Sequence, residues 1–319
     1  MNVPFIYKYK PKQLDDFEIT SELKNLLLSL NQNNNLNILF VGNSGVGKTA
    51  LIDSLIRNYY GDSYHNENIL QINSLKEQGI QYYRNEVKTF CQTPCIIHGK
   101  KKCVILDDID FINEQSQQVF RNCIDKYSHN VNFISSCCNL QKVIDTLQSR
   151  QIIITLQPHT YQNMKNVLTH IAEQETLHID EKTQDFLIKL SNYSLRIMIN
   201  YLEKLKILNL PIDYALVNNI CSNISYEIFD QYTKAVLKQE TSDAIRIFYS
   251  LYDCGYSTMD IYDNYFLYIK STSLLTDDTM RYNIIKWLCK YITIFHNIHE
   301  DEIELALLTH DIVKFVSNK

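Results

Sequence analysis

Gly42-Asn43-Ser44-Gly45-Val46-Gly47-Lys48-Thr49 has the residue types and spacing to hold a triphosphate. Gly45 and Gly47 let the backbone curl with its N–H groups turned inward, so an anion meets a nest of donors at the positive end of the following helix. Lys48 is placed to reach β- and γ-phosphates, and the Thr49 hydroxyl to complete a Mg²⁺ shell. The acids for the opposite side of that ion come from Lys102-Cys103-Val104-Ile105-Leu106-Asp107-Asp108-Ile109-Asp110, a β-branched apolar run ending in carboxylates. Asp107 takes the metal through water, and Asp108 sits where a general base orients the attacking water. A polar amide, Asn139, follows the apolar run that starts at Val131, and in a parallel sheet it lies beside the two acids.

These groups need a sheet to bring them together, and the patterning supplies one. Asn37-Ile38-Leu39-Phe40-Val41 is short and apolar enough for a buried strand, and Ala50 to Ile56 has helical spacing, which is the P-loop order of strand, glycine turn and helix. Upstream, a helix is expected from Ser21 to Leu30 with Ser21 as its N-cap. Downstream come a helix through Tyr60, a strand Ile69–Ile72, a helix from near Gly79 to Phe90, the acid-bearing strand, an amphipathic helix Glu114–Tyr127 and a strand Val131–Ser136. This alternation to about residue 156 predicts a doubly wound α/β domain. After Pro158 strand signals stop: helices are expected over 162–175, 180–191 and 195–208, and long Tyr-, Leu- and Ile-rich helices from about 224, with a turn at Cys254-Gly255-Tyr256-Ser257. The expected division is 1–156, 157–222 and 223–319.

A chain of 319 residues carries enough volume for two or three cores, and its net charge of −5 does not advertise a polyanion partner by bulk charge. Any nucleic-acid contact must come from a local basic strip. Nine cysteines form no paired zinc-type spacing and read as small buried hydrophobes in a reducing compartment. The beginning Met1-Asn2-Val3-Pro4-Phe5 lacks a basic start followed by an apolar core, and no run of about eighteen apolar residues occurs, so an intracellular protein with no membrane partner is expected.

Taken in order, the motifs resemble the small subunit of replication factor C, an AAA+ loader of sliding clamps, over nearly the full length. Lys8-Tyr9-Lys10-Pro11 is similar to the family's Lys-Tyr-Arg-Pro box, and residues 42–49 to its Walker A motif. Asn73-Ser74-Leu75-Lys76-Glu77-Gln78-Gly79-Ile80 corresponds to its Asn-Ala-Ser-Asp-Asp-Arg-Gly-Ile segment, and Asp125-Lys126-Tyr127 with Asn130-Val131-Asn132-Phe133 to its Glu-Lys-Tyr and Asn-Val-Arg-Phe. Asn139 falls on the first sensor, Gln148-Ser149-Arg150-Gln151 on the Gln-Ser-Arg-Cys motif, and Ser194 to Asn200 on the second-sensor stretch. Cys254 through Asn264 resembles the collar.

The resemblance implies an AAA+ P-loop domain with a parallel sheet, a small helical lid and an all-α collar. It implies ATP and Mg²⁺ as ligands, held by Gly42 to Thr49, Asp107 and Arg196, with Tyr9 and Pro11 of the box near the adenine. Arg150 then enters a neighbouring subunit's ATP site in trans, Asn139 reads the γ-phosphate, and Ile80, Arg84, Lys88 and Arg121 meet DNA phosphates. Implied partners are the other subunits of a heteropentamer, a sliding clamp and primer-template DNA, in a nucleus, cytoplasm or viral replication site. Three departures bear on activity. Asp108 stands where the family usually has Glu, so its carboxylate is drawn back from the attacking water. Gln78 and Asn122 replace arginines and weaken the basic strip. Gln151 replaces Cys and is expected to be tolerated. The readings that compete are a subunit that binds ATP but scarcely hydrolyses it, an initiator- or checkpoint-type AAA+ relative that needs no clamp, and, a poor fourth, a phosphotransferase.

Overall fold

The computed structural model describes residues 3–61, 64–73, 83–221, 224–272, 274–275, 277–295 and 299–317. Two compact units are present, Met1–Ile171 with Tyr193–Glu203, and Ala172–Asn192 with Lys204–Lys319.

The first unit is built on five strands, β1 (Ile38–Val41), β2 (Ile69–Asn73), β3 (Lys102–Asp107), β4 (Val131–Cys137) and β5 (Ile152–Thr155), in the order β2-β3-β4-β1-β5. All four pairings are parallel, with Ile38 opposite Ile134 and Ile152, and Val41 opposite Cys137 and Thr155. Its helices are α1 (Phe5–Lys8), α2 (Ser21–Gln32), α3 (Lys48–Tyr60), α4 (Lys88–Gln92), α5 (Glu114–Tyr127), α6 (Asp145–Gln148) and the start of α7 (Tyr161–Gln174). The central strands β1, β3 and β4 are buried nearly throughout because helices cover both faces, and parity decides which side chain goes where. Ile38 and Phe40 of β1, Cys103 and Ile105 of β3 and Ile134 of β4 pack with Leu51, Leu55 and Tyr59 of α3. Leu39, Val104, Leu106 and Phe133 face the other way, against Phe120 and Ile124 of α5.

One local expectation is corrected, and a second is met over the residues described. The α2 cap is Thr20, not Ser21: Thr20 Oγ1 accepts the Leu23 N–H at 3.4 Å, and the helix extends to Gln32. Thr20 is still extended (φ −66°, ψ 149°) where Ser21 is already helical, and a cap needs the extended backbone. The helix expected from Gly79 to Phe90 is, within the described residues, one π-type turn (Tyr83–Val87) followed by α4. Residues 74–82, Ile80 among them, lie outside the described residues.

The second unit is helical: α8 (Glu181–Leu190), the end of α9 (Leu195–Leu208), α10 (Tyr214–Cys221), α11 (Tyr226–Leu237), α12 (Thr241–Asp253), α13 (Thr258–Ser271), α14 (Asp278–Ile294) and α15 (Ile303–Ser317). Its core is aromatic. Tyr232 stacks on Phe248 with centroids 3.6 Å apart, and Phe229, Tyr262, Tyr265 and Tyr268 are buried around the pair. A buried phenol needs a partner. Tyr232 meets Thr309 Oγ1 at 3.0 Å, Tyr265 meets Thr233 Oγ1 at 3.2 Å, and Tyr262 donates to the Glu304 carbonyl at 2.7 Å. Gly255 makes the expected turn with φ at 95°, and Ser257 with Asp260 forms a capping box for α13. Among the described residues no helix is long and apolar enough to cross a membrane.

Gln151 shows how the sheet tolerates an amide where a thiol was expected. It is buried, and its Nε2 donates to the Ile38 carbonyl at 3.3 Å, the Phe133 carbonyl at 3.0 Å and Ser135 Oγ at 3.1 Å, stitching β1 to β4. Gln151→Ala is expected to lower the stability of the chain by about 1–3 kcal/mol through these buried acceptors. Urea unfolding midpoints check it.

Candidate functional site

Strand order places the chemistry. In open parallel sheets ligands sit beyond the carboxyl ends of the strands, and here β1 leads into the glycine turn, β3 ends in Asp107, and Cys138 and Asn139 follow β4. Gly45 and Gly47 have φ of 82° and 96°, the left-handed region where a side chain is disfavoured. A Cβ on Gly45 would also strike Ser194 Oγ, just before α9. The Gly42 N–H donates to the Cys137 carbonyl at 3.2 Å, which anchors the turn to β4. Asn43 and Ser44 lie exposed at its tip.

Lys48 is buried at the start of α3, and its ammonium donates to the carbonyls of Gly42 at 2.7 Å and Asn43 at 3.1 Å and meets Cys138 Sγ at 3.2 Å. The lysine is thus held within its own loop. The Thr49 hydroxyl donates to Asp107 Oδ2 at 2.9 Å, and the Ser136 hydroxyl to Asp107 Oδ1. Two hydroxyls and a carboxylate from α3, β4 and β3 therefore converge, a hard-oxygen donor set that fits Mg²⁺.

The acid after Asp107 is unusual in its backbone. Asp108 has φ 54° and ψ 53°, and its N–H donates to Ser136 Oγ at 3.1 Å. Burial raises its pKa, Asp107 and Asp110 raise it further, and Lys48 and Arg196 oppose them. Asp110 is engaged with the main chain after β4, where its Oδ2 accepts the N–H groups of Cys138 at 3.2 Å and Asn139 at 3.1 Å. Asn139 itself is exposed, and its side-chain oxygen caps the turn Leu140–Lys142 by accepting from Gln141 N at 2.9 Å.

Two residues passed over in the sequence hold the loops. Gln117, buried on α5, donates from Nε2 to the carbonyls of Ile112 and Lys142, each at 3.0 Å, and accepts from Ile144 N at 2.9 Å, joining the segments after β3 and β4. His159 Nε2 meets the Val46 carbonyl at 3.2 Å, so that nitrogen must carry the proton. Burial lowers the His159 pKa, so the ring braces the glycine turn in its neutral form.

The remaining predicted residues are distributed as follows. In the N-terminal box Lys10 pairs with Asp53 of α3, the Tyr9 ring lies edge-on to His170 at 6.4 Å, and Pro11 is half-buried. Arg196 is exposed at the start of α9, whose Glu203 accepts the Phe5 N–H at 3.2 Å. Arg150 bonds Asp125, Thr146 and Ser149, none of which belongs to the glycine turn. Arg84 lies in the π-type turn, Lys88 is exposed at the start of α4, and Arg121 is half-buried on α5.

Residues 34–165 match the family described as AAA domain. The replication factor C small subunit of Methanococcus vannielii is 30% identical over 82% of this chain and 83% of its own length. That of Methanoregula boonei is 32% identical over 69% of this chain and 68% of its own. Among solved structures, the RuvB Holliday junction branch migration motor of Thermotoga maritima superposes with a TM-score of 0.53 at 15% identity, covering 72% of this chain and 79% of that one, a likeness of fold.

The raised Asp108 pKa fixes a sign. A proton binds Asp108 more tightly in the folded chain than in the unfolded one, so this group's contribution falls as pH rises from the ordinary carboxylate range through the native value. Asp108→Asn is therefore expected to melt higher than the parent at pH 7, with the gap closing toward pH 4. Melting curves without nucleotide across that range are the check.

Proposed function

The chain belongs to the replication factor C small-subunit family, and we propose on that premise that it is an ATP-using subunit of a loader that places a sliding clamp on primer-template DNA. The observation that carries the reading is the convergence of Lys48, Thr49, Asp107 and Ser136 beyond one end of the sheet, while Arg150 is held by other partners at the surface. On this reading half of a hydrolytic site lies here, and the Arg150 guanidinium serves another.

In this reading ATP is the substrate. The backbone N–H groups of residues 42–49 cradle its phosphates and Lys48 leaves the Gly42 and Asn43 carbonyls to reach the β- and γ-oxygens. Thr49 and Asp107 hold Mg²⁺, which when bound neutralises charge developing on the transferred phosphoryl group. Asp108 orients the attacking water. Asn139, positioned through its backbone by Asp110, and Arg196 read the γ-phosphate. Tyr9 and Pro11 lie near the adenine. Arg150 completes the next subunit's site, so turnover reports assembly. The proposed parts are an ATP-binding domain (1–156), a lid (157–222) and an oligomerising collar (223–319), in a complex of five subunits. Arg84, Lys88 and Arg121, with Ile80, track DNA phosphates without reading sequence.

A second reading is favoured by Asp108. A carboxylate one methylene shorter is drawn back from the attacking water, which suits a subunit that binds ATP tightly and turns it over slowly while still donating Arg150.

Both are tested in a complex assembled from this chain and candidate partner subunits with a sliding clamp and primed DNA. Arg150→Ala in this chain is expected to reduce hydrolysis at the adjoining site by about 10³-fold or more, with nucleotide binding to this chain unchanged. Unaltered turnover would refute the proposal. Asp108→Ala should abolish hydrolysis at this chain's own site under the first reading and leave the total rate unmoved under the second.

A further inference from the structure

Two of the basic residues share one acid. Asp125 Oδ1 accepts from Arg150 Nε at 2.7 Å, and Asp125 Oδ2 pairs with Arg121 Nη2 at 3.2 Å. The side chains of Arg121, Asp125 and Arg150 are 34%, 41% and 30% exposed, so the pairs add little to folding. Their effect is geometric. Arg150 Nη1 also donates to the Thr146 carbonyl at 2.7 Å and to Ser149 Oγ at 2.9 Å, but those groups belong to the same turn as Arg150 and move with it. Asp125 ties the guanidinium to a different element, α5, which is anchored in the core by Phe120 and Ile124.

We propose that Asp125 is the positioning residue for the Arg150 guanidinium and that it couples the aim of Arg150 to what Arg121 binds. The inference rests on the reading of Arg150 as the group inserted into a neighbour's ATP site and of Arg121 as a phosphate contact. Without DNA the Asp125 charge is divided between two cations. When a DNA phosphate draws Arg121 Nη2 away, the carboxylate is left to Arg150, and their charge-assisted hydrogen bond tightens. Arg121 Nη1 keeps its bond to Asn122 Oδ1 at 3.1 Å, so the arginine stays on its helix as it turns. Aim is what the rate responds to: such an arginine is worth about 10³–10⁵ in turnover, and a displacement near 1 Å forfeits about a hundredfold. Phosphate on α5 is thereby felt as hydrolysis in the adjoining subunit.

The experiment measures ATP turnover of the assembled complex, with and without primed DNA, for Asp125→Asn, Asp125→Glu, Arg121→Ala and Arg150→Ala in this chain. Asp125→Asn should lower kcat by about tenfold or more with KM for ATP within about twofold, and should shrink the DNA stimulation ratio by about fivefold or more. Asp125→Glu should restore both, which a merely structural loss would not predict. Arg121→Ala, which leaves the carboxylate to Arg150 at all times, should raise turnover in the absence of DNA. If Arg150→Ala abolishes turnover while Asp125→Asn keeps the parental kcat and stimulation, the coupling is overturned and the loader reading stands. If Arg150→Ala changes nothing, the loader reading falls and the coupling with it.

Discussion

Everything at the carboxyl end of this sheet depends on how one carboxylate is held. Asp107 receives a hydroxyl from Ser136 on one oxygen and from Thr49 on the other, so β3, β4 and the first turn of α3 are joined through a single side chain. The neighbourhood makes this demanding, because Asp108 and Asp110 follow within three residues. Like charges in a partly desolvated site must be offset by fixed donors or take up protons. Asp110 is offset by two backbone N–H groups from the segment after β4, which also orients Asn139. Asp108 has its pKa raised, first by burial and then by the neighbouring charges of Asp107 and Asp110.

What the sequence shows of this arrangement follows from what periodicity encodes. α5 has the bounds the patterning predicts, Glu114–Tyr127, and β3, Lys102–Asp107, fills the apolar part of the run read as Lys102 to Asp110, because a strand buried on both faces and an amphipathic helix each leave a strong mark along the chain. The glycine turn is visible because only certain residues fit its backbone. The roles of Gln117, Gln151 and His159 are not visible, since each consists of hydrogen bonds to main-chain groups remote in sequence; His159 and Val46 are 113 residues apart. No local pattern records such a bond. The Thr20 cap was missed by one residue because Thr20 and Ser21 both carry the hydroxyl a cap requires, and backbone conformation alone decides between them.

Asp108 illustrates how a departure from a family pattern changes meaning once the backbone is known. From the sequence, Asp in place of Glu reads as a carboxylate pulled back from its target. The backbone there is left-handed, at φ 54°, a conformation that short Asp and Asn side chains tolerate better than longer ones. The same substitution that shortens the reach therefore relaxes the turn. Burial and the neighbouring acids still raise the Asp108 pKa, so the relaxed backbone does not offset the cost of its charge.

Helix α5 is where these separate constraints meet. Gln117, Arg121 and Asp125 recur every four residues, so they fall on one slowly drifting stripe of the helix. At its buried end Gln117 fixes the segments after β3 and β4, which carry Asp108, Asp110 and Asn139. At its exposed end Asp125 holds Arg150, and Arg121 stands between them. A rigid helix that touches the segments after β3 and β4 at one end and Arg150 at the other needs no hinge to relate them. Small changes in the charge presented to its middle residue are enough, because both ends are already fastened by hydrogen bonds whose geometry, rather than whose free energy, matters.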